Sequence, residues 1–452
     1  MNIHSNYHKF LPRPLSNYIR QVLESDINRY LIGGTFWSVI SVVVSKILVI
    51  ISTIFIARIL GQTIYGELAI LRSNINLFIS FTGLGIALTA TKYVAQYKDK
   101  DFLKTARIIS LVESVSIAAV IFSTLLLLLL SGMLTSSVLN IPHLNVELKV
   151  SGLLLIFSVF TALQVGILSG FQQFKEIGKN TLIAGIIGFI LQIPLTYYGS
   201  LSGALMGLSL NLILFWIFNF LSIRKIRGGK YPIALFSKSS LSELPILWKF
   251  SLPTFLIAIL MEATRWIANT KLISSSNGFK QMAIFDVSYQ WQVSINILPA
   301  ILAQVALPIL SHNVDDKEKY SHIFYKNFKI NAIIAASICA VFCLLSPFIL
   351  SLYGNGYSQS YLVFIYMIIC STLAAVNSAV WQITVASEHM WVNLFINTFW
   401  SVALLFSVYM YVNRSGLTAE RLSFSYLLAY MAQSILLVVY FFFYQNSVKT
   451  KN

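Results

Sequence analysis

Six ionisable side chains stand where an apolar chain should not hold them: Lys46, Arg72, Glu113, Glu262, Arg265 and Asp286. Each lies inside a long hydrophobic run. Placing one at mid-membrane costs about 2.5–3.5 kcal/mol or more, so each is expected to face a cavity or a partner. Their types name the chemistry. Lys46 has no partner nearby in sequence and suits anion binding. Glu262 and Arg265 are three residues apart and can neutralise each other on one helix face. Arg72 and Asp286 can form a latch between distant segments, or each can serve a bound ligand. Glu113, near the end of its run, reads as a structural group.

Polar neighbours accompany four of these runs. Ser38, Ser41, Ser45, Ser52 and Thr53 surround Lys46 at roughly helical spacing. Arg72, Asn76, Ser80 and Gly83 recur every three to four residues, as do Glu262, Arg265 and Asn269, and Asp286, Gln290 and Ser294. Such stripes are wrong against lipid and right against water or another helix. A weaker face, Asn377, Trp381, Thr384 and Glu388, reads as packing or an inner rim.

The elements that must position these groups follow from composition. The 452-residue chain is 57% hydrophobic and 11% charged, against about 25% charged in soluble proteins. Mean hydropathy is +0.76. Runs of about 20 apolar residues suit membrane-crossing helices. They fall near 33–57, 66–91, 107–132, 149–170, 179–198, 201–223, 248–273, 283–309, 328–352, 358–387, 389–412 and 422–445. They are too long and continuous for barrel strands, so the expected class is all-α, with about twelve transmembrane helices. Prolines 194, 253, 299, 308 and 347 interrupt several of them, as they do where a helix bends or lines a cavity. Gly166/Gly170 and Gly203/Gly207 mark close helix packing.

The net charge of +16 follows a membrane rule rather than a nucleic-acid footprint. With the N-terminus placed inside, 23 Lys and Arg fall in inner segments and 6 in outer ones, among them Arg58 and Lys271 at the outer rims. That bias predicts cytoplasmic termini and an even number of spans. The predicted organisation is an N-terminal arm over 1–32, an N-lobe of six spans over 33–223, a basic linker over 224–247, a C-lobe of six spans over 248–445 and a tail over 446–452. Within the arm, 15–31 carries an apolar face that suits either an interfacial helix or a loose segment. The three cysteines, in apolar runs, read as small hydrophobes. No phosphate loop, HExxH, GxSxG elbow or Cys/His cluster occurs, so neither an enzyme nor a metal protein is expected.

The first turn of each half is related. Residues 58–72 read RILGQTIYGELAILR and residues 271–286 read KLISSSNGFKQMAIFD. With one gap, Tyr65 meets Phe279, Ala69 meets Ala283 and Arg72 meets Asp286, an internal repeat of the kind transporters carry.

The element Ala57-Arg58-Ile59-Leu60-Gly61 with Tyr65-Gly66 resembles the bacterial polysaccharide (O-antigen repeat-unit) flippases. That family shares a superfamily with multidrug exporters and the peptidoglycan-precursor flippase. Gly83-Leu84-Gly85, Lys92-Tyr93-Val94, Leu168-Ser169-Gly170, Phe250-Ser251-Leu252-Pro253 and Leu307-Pro308-Ile309-Leu310-Ser311 follow in the family's order, within the first eight spans. The resemblance implies two six-helix lobes around a central cavity, with spans 1, 2, 7 and 8 bordering a lateral gate. It implies an inner-membrane flippase for undecaprenyl-pyrophosphate-linked oligosaccharide, with a polysaccharide polymerase and ligase as downstream partners. On that reading Lys46, Arg72 and Arg265, helped by Arg58 and Lys271, hold pyrophosphate and sugar. Asp286, Glu262 and Glu113 are then coupling or gate candidates for protons or sodium, and no cofactor is expected. A multidrug exporter of the same fold, or a polysaccharide polymerase or ligase, are the alternatives. The first would want a more apolar or acidic chamber, and the second a large outer loop that the chain lacks.

Overall fold

The computed structural model describes residues 26–83, 85–228, 238–244, 252–296, 317–386 and 390–449. Several features of the sequence lie outside them: most of the amphipathic arm segment, the middle of the linker, Pro299, Pro308, Glu388, the Phe250-Ser251 pair and the Leu307–Ser311 motif.

Among the described residues the chain is helical throughout, with no strand. The α-helices are α1 (Asp26–Gly83), α2 (Ile86–Tyr97), α3 (Phe102–Met133), α4 (Asn145–Val150), α5 (Gly152–Gly170), α6 (Phe174–Arg227), α7 (Leu252–Ile273), α8 (Gly278–Ile295), α9 (Lys317–Leu344), α10 (Ser346–Ser351), α11 (Asn355–Ser358), α12 (Tyr361–Ala386), α13 (Met390–Arg414) and α14 (Ala419–Lys449). They fall on all twelve expected spans. Among the described residues, seven helical runs are long and apolar enough to cross a membrane by length and composition. Two of these, 57 and 53 residues long, hold two crossings each. The shorter, more polar α7 and α8 are not among the seven, because the stripes around Glu262, Arg265 and Asp286 dilute their apolar character.

The double-length runs turn back at single residues. In α1 the break is Gly61, at φ 69° and ψ 171°, a conformation open to glycine and strained for any side chain. In α6 it is Ser200, at φ 49°, six residues after Pro194.

The surface is inverted relative to a soluble protein. Phe122, Leu129, Phe395 and Ile435 are exposed, while Asn180, Gln192, Asn219 and Asn393 are buried. Hydroxyls inside the helices are satisfied locally: Thr53, Thr82, Thr196 and Ser209 each donate to the carbonyl four residues back. The two GxxxG pairs serve close packing. A Cβ on Gly166 would sit 2.4 Å from Ala87 O, and one on Gly203 would sit 1.9 Å from Leu195 O. All three cysteines are free, Cys370 fully buried.

Helices α1–α6 pack on one another, and α7–α14 do the same. The seam between these halves is made chiefly by α1 against α7 and α8. Polar residues of spans 2, 7 and 8 meet there.

Candidate functional site

At the seam, Asp286 of α8 receives two hydrogen bonds from α1 on one oxygen. Arg72 Nη2 donates to Oδ2 at 2.6 Å and Tyr65 Oη donates to it at 2.9 Å. Arg72 Nη2 also donates to Tyr65 Oη at 3.1 Å, which closes a triangle. Gln290 Nε2 reaches Oδ1 at 3.5 Å from one turn along α8. The Arg72 and Asp286 side chains keep 20% and 8% of their exposure, and Tyr65 keeps none. The pair is charge-assisted and withdrawn from solvent, the regime in which such a contact is strong and its rupture costly.

The helices can approach this closely because Gly66 has no side chain. A Cβ there would lie 2.0 Å from Phe279 O. Gly66 follows Tyr65, and the repeat matches Tyr65 with Phe279. Matched segments thus touch each other across the seam, as they do at an approximate two-fold axis.

Neutral contacts extend the closure. Trp266 Nε1 donates to Asn74 Oδ1 at 2.7 Å, and Asn269 Nδ2 to Ser73 Oγ at 2.9 Å. At the Gly61 turn, Arg58 donates to the carbonyls of Leu352 and Ser351, and Gln62 Nε2 to Gly356 O at 2.6 Å. The short helices α10 and α11 are thereby held over this end. Tyr353 beneath them accepts from Trp291 Nε1 at 2.9 Å. Burial pushes the Tyr353 and Tyr357 hydroxyls up, so both stay protonated.

The other candidates are distributed as follows. Arg265 pairs with Glu262 within α7, and its guanidinium lies 5.9 Å from the Tyr289 ring. Lys46 is half-buried on α1 and makes no ion pair or hydrogen bond among the described residues. Lys271 is exposed in the last turn of α7. Glu113 is half-buried on α3, whose neighbours belong to the N-terminal half and to the 3-10 turn Lys238–Glu243. Arg107 of α3 reaches Glu243 of that turn at 3.3 Å. No group of three metal-ligating side chains occurs among the described residues.

Two cavities adjoin the seam. The more polar of the two, about 240 Å³, opens inside the N-terminal half; Ser45, Ser52, Thr53, Arg72, Asn76, Gln192 and Asn211 interrupt a wall that is otherwise mostly apolar. Among the described residues, no carboxylate lines it. An apolar one of about 210 Å³ lies at the Gly83–Gly85 break, between α1, α2, α5 and the first turns of α7, with Leu88, Leu163, Phe255 and Ala258 among its walls. Ile79 lines both.

Residues 55–362 match a family described as polysaccharide biosynthesis protein. The chain belongs to this family. It is also 24% identical over 170 residues to the EPS I polysaccharide export inner membrane protein EpsE of Ralstonia nicotianae. That match takes in 37% of this chain and 39% of the relative, so it spans about two fifths of the relative's length. In fold, the chain is similar to an inward-facing multidrug resistance transporter of the MATE family, with a TM-score of 0.74 at 15% identity over 90% of this chain and 96% of that one. It is similar too to the lipid II flippase MurJ in an inward closed conformation, with a TM-score of 0.70 at 14% identity over 89% and 86%. The protein is thus a multi-pass membrane protein of the polysaccharide biosynthesis family, built on the fold that these transporters share.

Sequence reasoning offers the Arg72–Asp286 pair as one of two options, and the structure joins them. In the sequence Tyr65 stands out as a repeat position and as part of the Tyr65-Gly66 motif, not as a hydrogen-bonding group. The signal available is its place seven residues before Arg72, two helical turns, on the same face of α1. The carbonyl acceptors at 351, 352 and 356 have no sequence signal.

Proposed function

We propose that the protein flips a polyprenyl-pyrophosphate-linked oligosaccharide, undecaprenyl being the expected lipid, from the cytoplasmic to the outer leaflet of the inner membrane. The observation that carries this reading is the pair of cavities sharing Ile79. An amphiphile with a hydrophilic head and a hydrocarbon tail needs adjoining spaces of different polarity, and the two cavities along α1 differ in that way. A carboxylate-free polar wall also lacks what a cationic drug would pair with.

On this reading the two lobes, 33–223 and 248–445, rock about the α1–α7–α8 seam with both termini cytoplasmic. The Gly61 end is the outer end, and the Arg72–Asp286–Tyr65 triangle keeps it shut while the substrate enters from inside. Lys46, without a partner of its own among the described residues, is the cation ready to meet the pyrophosphate as a point charge. Arg72 becomes available to it as the outer end opens and leaves Asp286, and Arg265 contributes from the opposite lobe. Arg58 and Lys271 lend positive potential at the outer rim. Asp286, Glu262 and Glu113 are the candidates for coupling turnover to protons or sodium, Asp286 because it holds Arg72 in the closed arrangement. The flipped product is then open to a polymerase and a ligase on the outer face.

Deletion of the gene tests the proposal. The expected result is loss of surface polysaccharide with lipid-linked single repeats accumulating on the inner leaflet, restored by the wild-type gene. Loss of polysaccharide with no such accumulation contradicts it.

A further inference from the structure

We infer that the polar cavity of the N-terminal half is a subsite for a single uncharged sugar ring, with Gln192 as its specificity-determining residue. The inference rests on the flippase reading and adds to it the part of the substrate that this lobe reads. The first support is charge. Among the described residues, Arg72 is the one charged group on the lining, and Asp286 already matches it. What remains is an apolar wall set with neutral hydroxyl and amide groups, the complement of a sugar's C–H faces and hydroxyls rather than of phosphates or amines.

The second support is an unmet donor. Gln192 is 4% exposed, and its Nε2 has no hydrogen-bond partner among the described residues. A buried amide proton without an acceptor is costly, and because Gln192 lines the cavity, a turn of its amide that presents Nε2 to an incoming oxygen removes that cost. The amide is also held in place. Gln192 belongs to the first crossing of α6, and the second crosses it at Gly207, where a Cβ would lie 2.9 Å from Gln192 Cγ. On the same wall Asn211 donates to Ala184 O at 3.2 Å and covers Gly188. Phe189, braced edge-on by Phe55, offers a ring against which the C–H face of a sugar can lie.

The third support is size. About 240 Å³ is below the roughly 300–1,000 Å³ of pockets for drug-sized ligands. One ring fits, and a whole repeat unit does not. The rest of the head stays outside this cavity.

The test compares two lipids on the full-length protein in nanodiscs: undecaprenyl diphosphate, and the same lipid carrying one N-acetylglucosamine. Wild type is expected to bind the sugar-bearing lipid more tightly. Gln192→Leu is expected to reduce the ratio of the two affinities by about 3–10-fold, the range for one to two neutral hydrogen bonds. Asn211→Leu is expected to reduce it in the same direction. A wild-type ratio near one overturns the subsite, as does a ratio that both variants leave intact. Failure of wild type to bind either lipid overturns the flippase reading itself, a separate and recognisable result.

Discussion

Replacing Asp286 is expected to open the Gly61 end of the protein. Its Oδ2 accepts from both Arg72 and Tyr65, at 2.6 and 2.9 Å, in a setting that leaves the Asp286 side chain only 8% exposed. Removing one member of a buried ion pair costs about 3–5 kcal/mol, because the other is left uncompensated. Arg72 keeps 20% exposure, and water can reach it in part. The low end, about 3 kcal/mol, therefore applies to Asp286→Ala. Asp286→Asn keeps an acceptor of the same shape and should cost about half as much. If the pair exists only in the closed state, about 3 kcal/mol shifts the closed-to-open ratio by about 150-fold. The readout is cross-linking of Gln62→Cys to Gly356→Cys, residues in hydrogen-bond contact here, in a background with Cys339, Cys343 and Cys370 changed to Ala. Cross-linking should fall in the order wild type, Asn, Ala. It should recover when Arg72→Asp is combined with Asp286→Arg. Unchanged cross-linking in Asp286→Ala would refute the assignment of this pair as the closing latch.

Other perturbations separate the remaining roles. Gly66→Ala puts a methyl 2.0 Å from Phe279 O and should abolish the same cross-link while membrane protein levels persist; full cross-linking would show that the seam yields more easily than its geometry implies. Lys46→Ala should eliminate surface polysaccharide without loss of protein from the membrane, and wild-type polysaccharide at normal expression would remove Lys46 from the site. Arg265→Gln strands Glu262 and should lower protein abundance. Adding Glu262→Gln should restore abundance but not transport, and restored transport would mark the pair as purely structural.

The crossings are readable in the sequence because lipid leaves helices few options, so long apolar runs carry nearly all of the information. The Arg72–Asp286 contact is readable for a different reason. The repeat aligns the two residues, and aligned residues near an approximate two-fold axis face each other. Tyr65 escapes because a tyrosine in an apolar stretch carries the same hydropathy whether its hydroxyl bonds or not. The cap over the Gly61 turn escapes because its acceptors are the backbone carbonyls of Leu352, Ser351 and Gly356, which any residue supplies. Arg58 accordingly reads as a free rim cation in the sequence and proves to be engaged. The polar cavity escapes for a third reason. Ser45, Asn76, Gln192 and Asn211 belong to four crossings, and their convergence is a property of packing alone.

The most direct measurement is transbilayer movement of undecaprenyl diphosphate–N-acetylglucosamine in proteoliposomes containing only this protein. The account predicts that wild type equilibrates the lipid between leaflets and that Lys46→Ala does not. It also predicts that a disulfide locking the Gly61 end, formed in the Gln62→Cys, Gly356→Cys double variant, stops movement until it is reduced. Equal movement in protein-free vesicles, or movement unaffected by the lock, would contradict it.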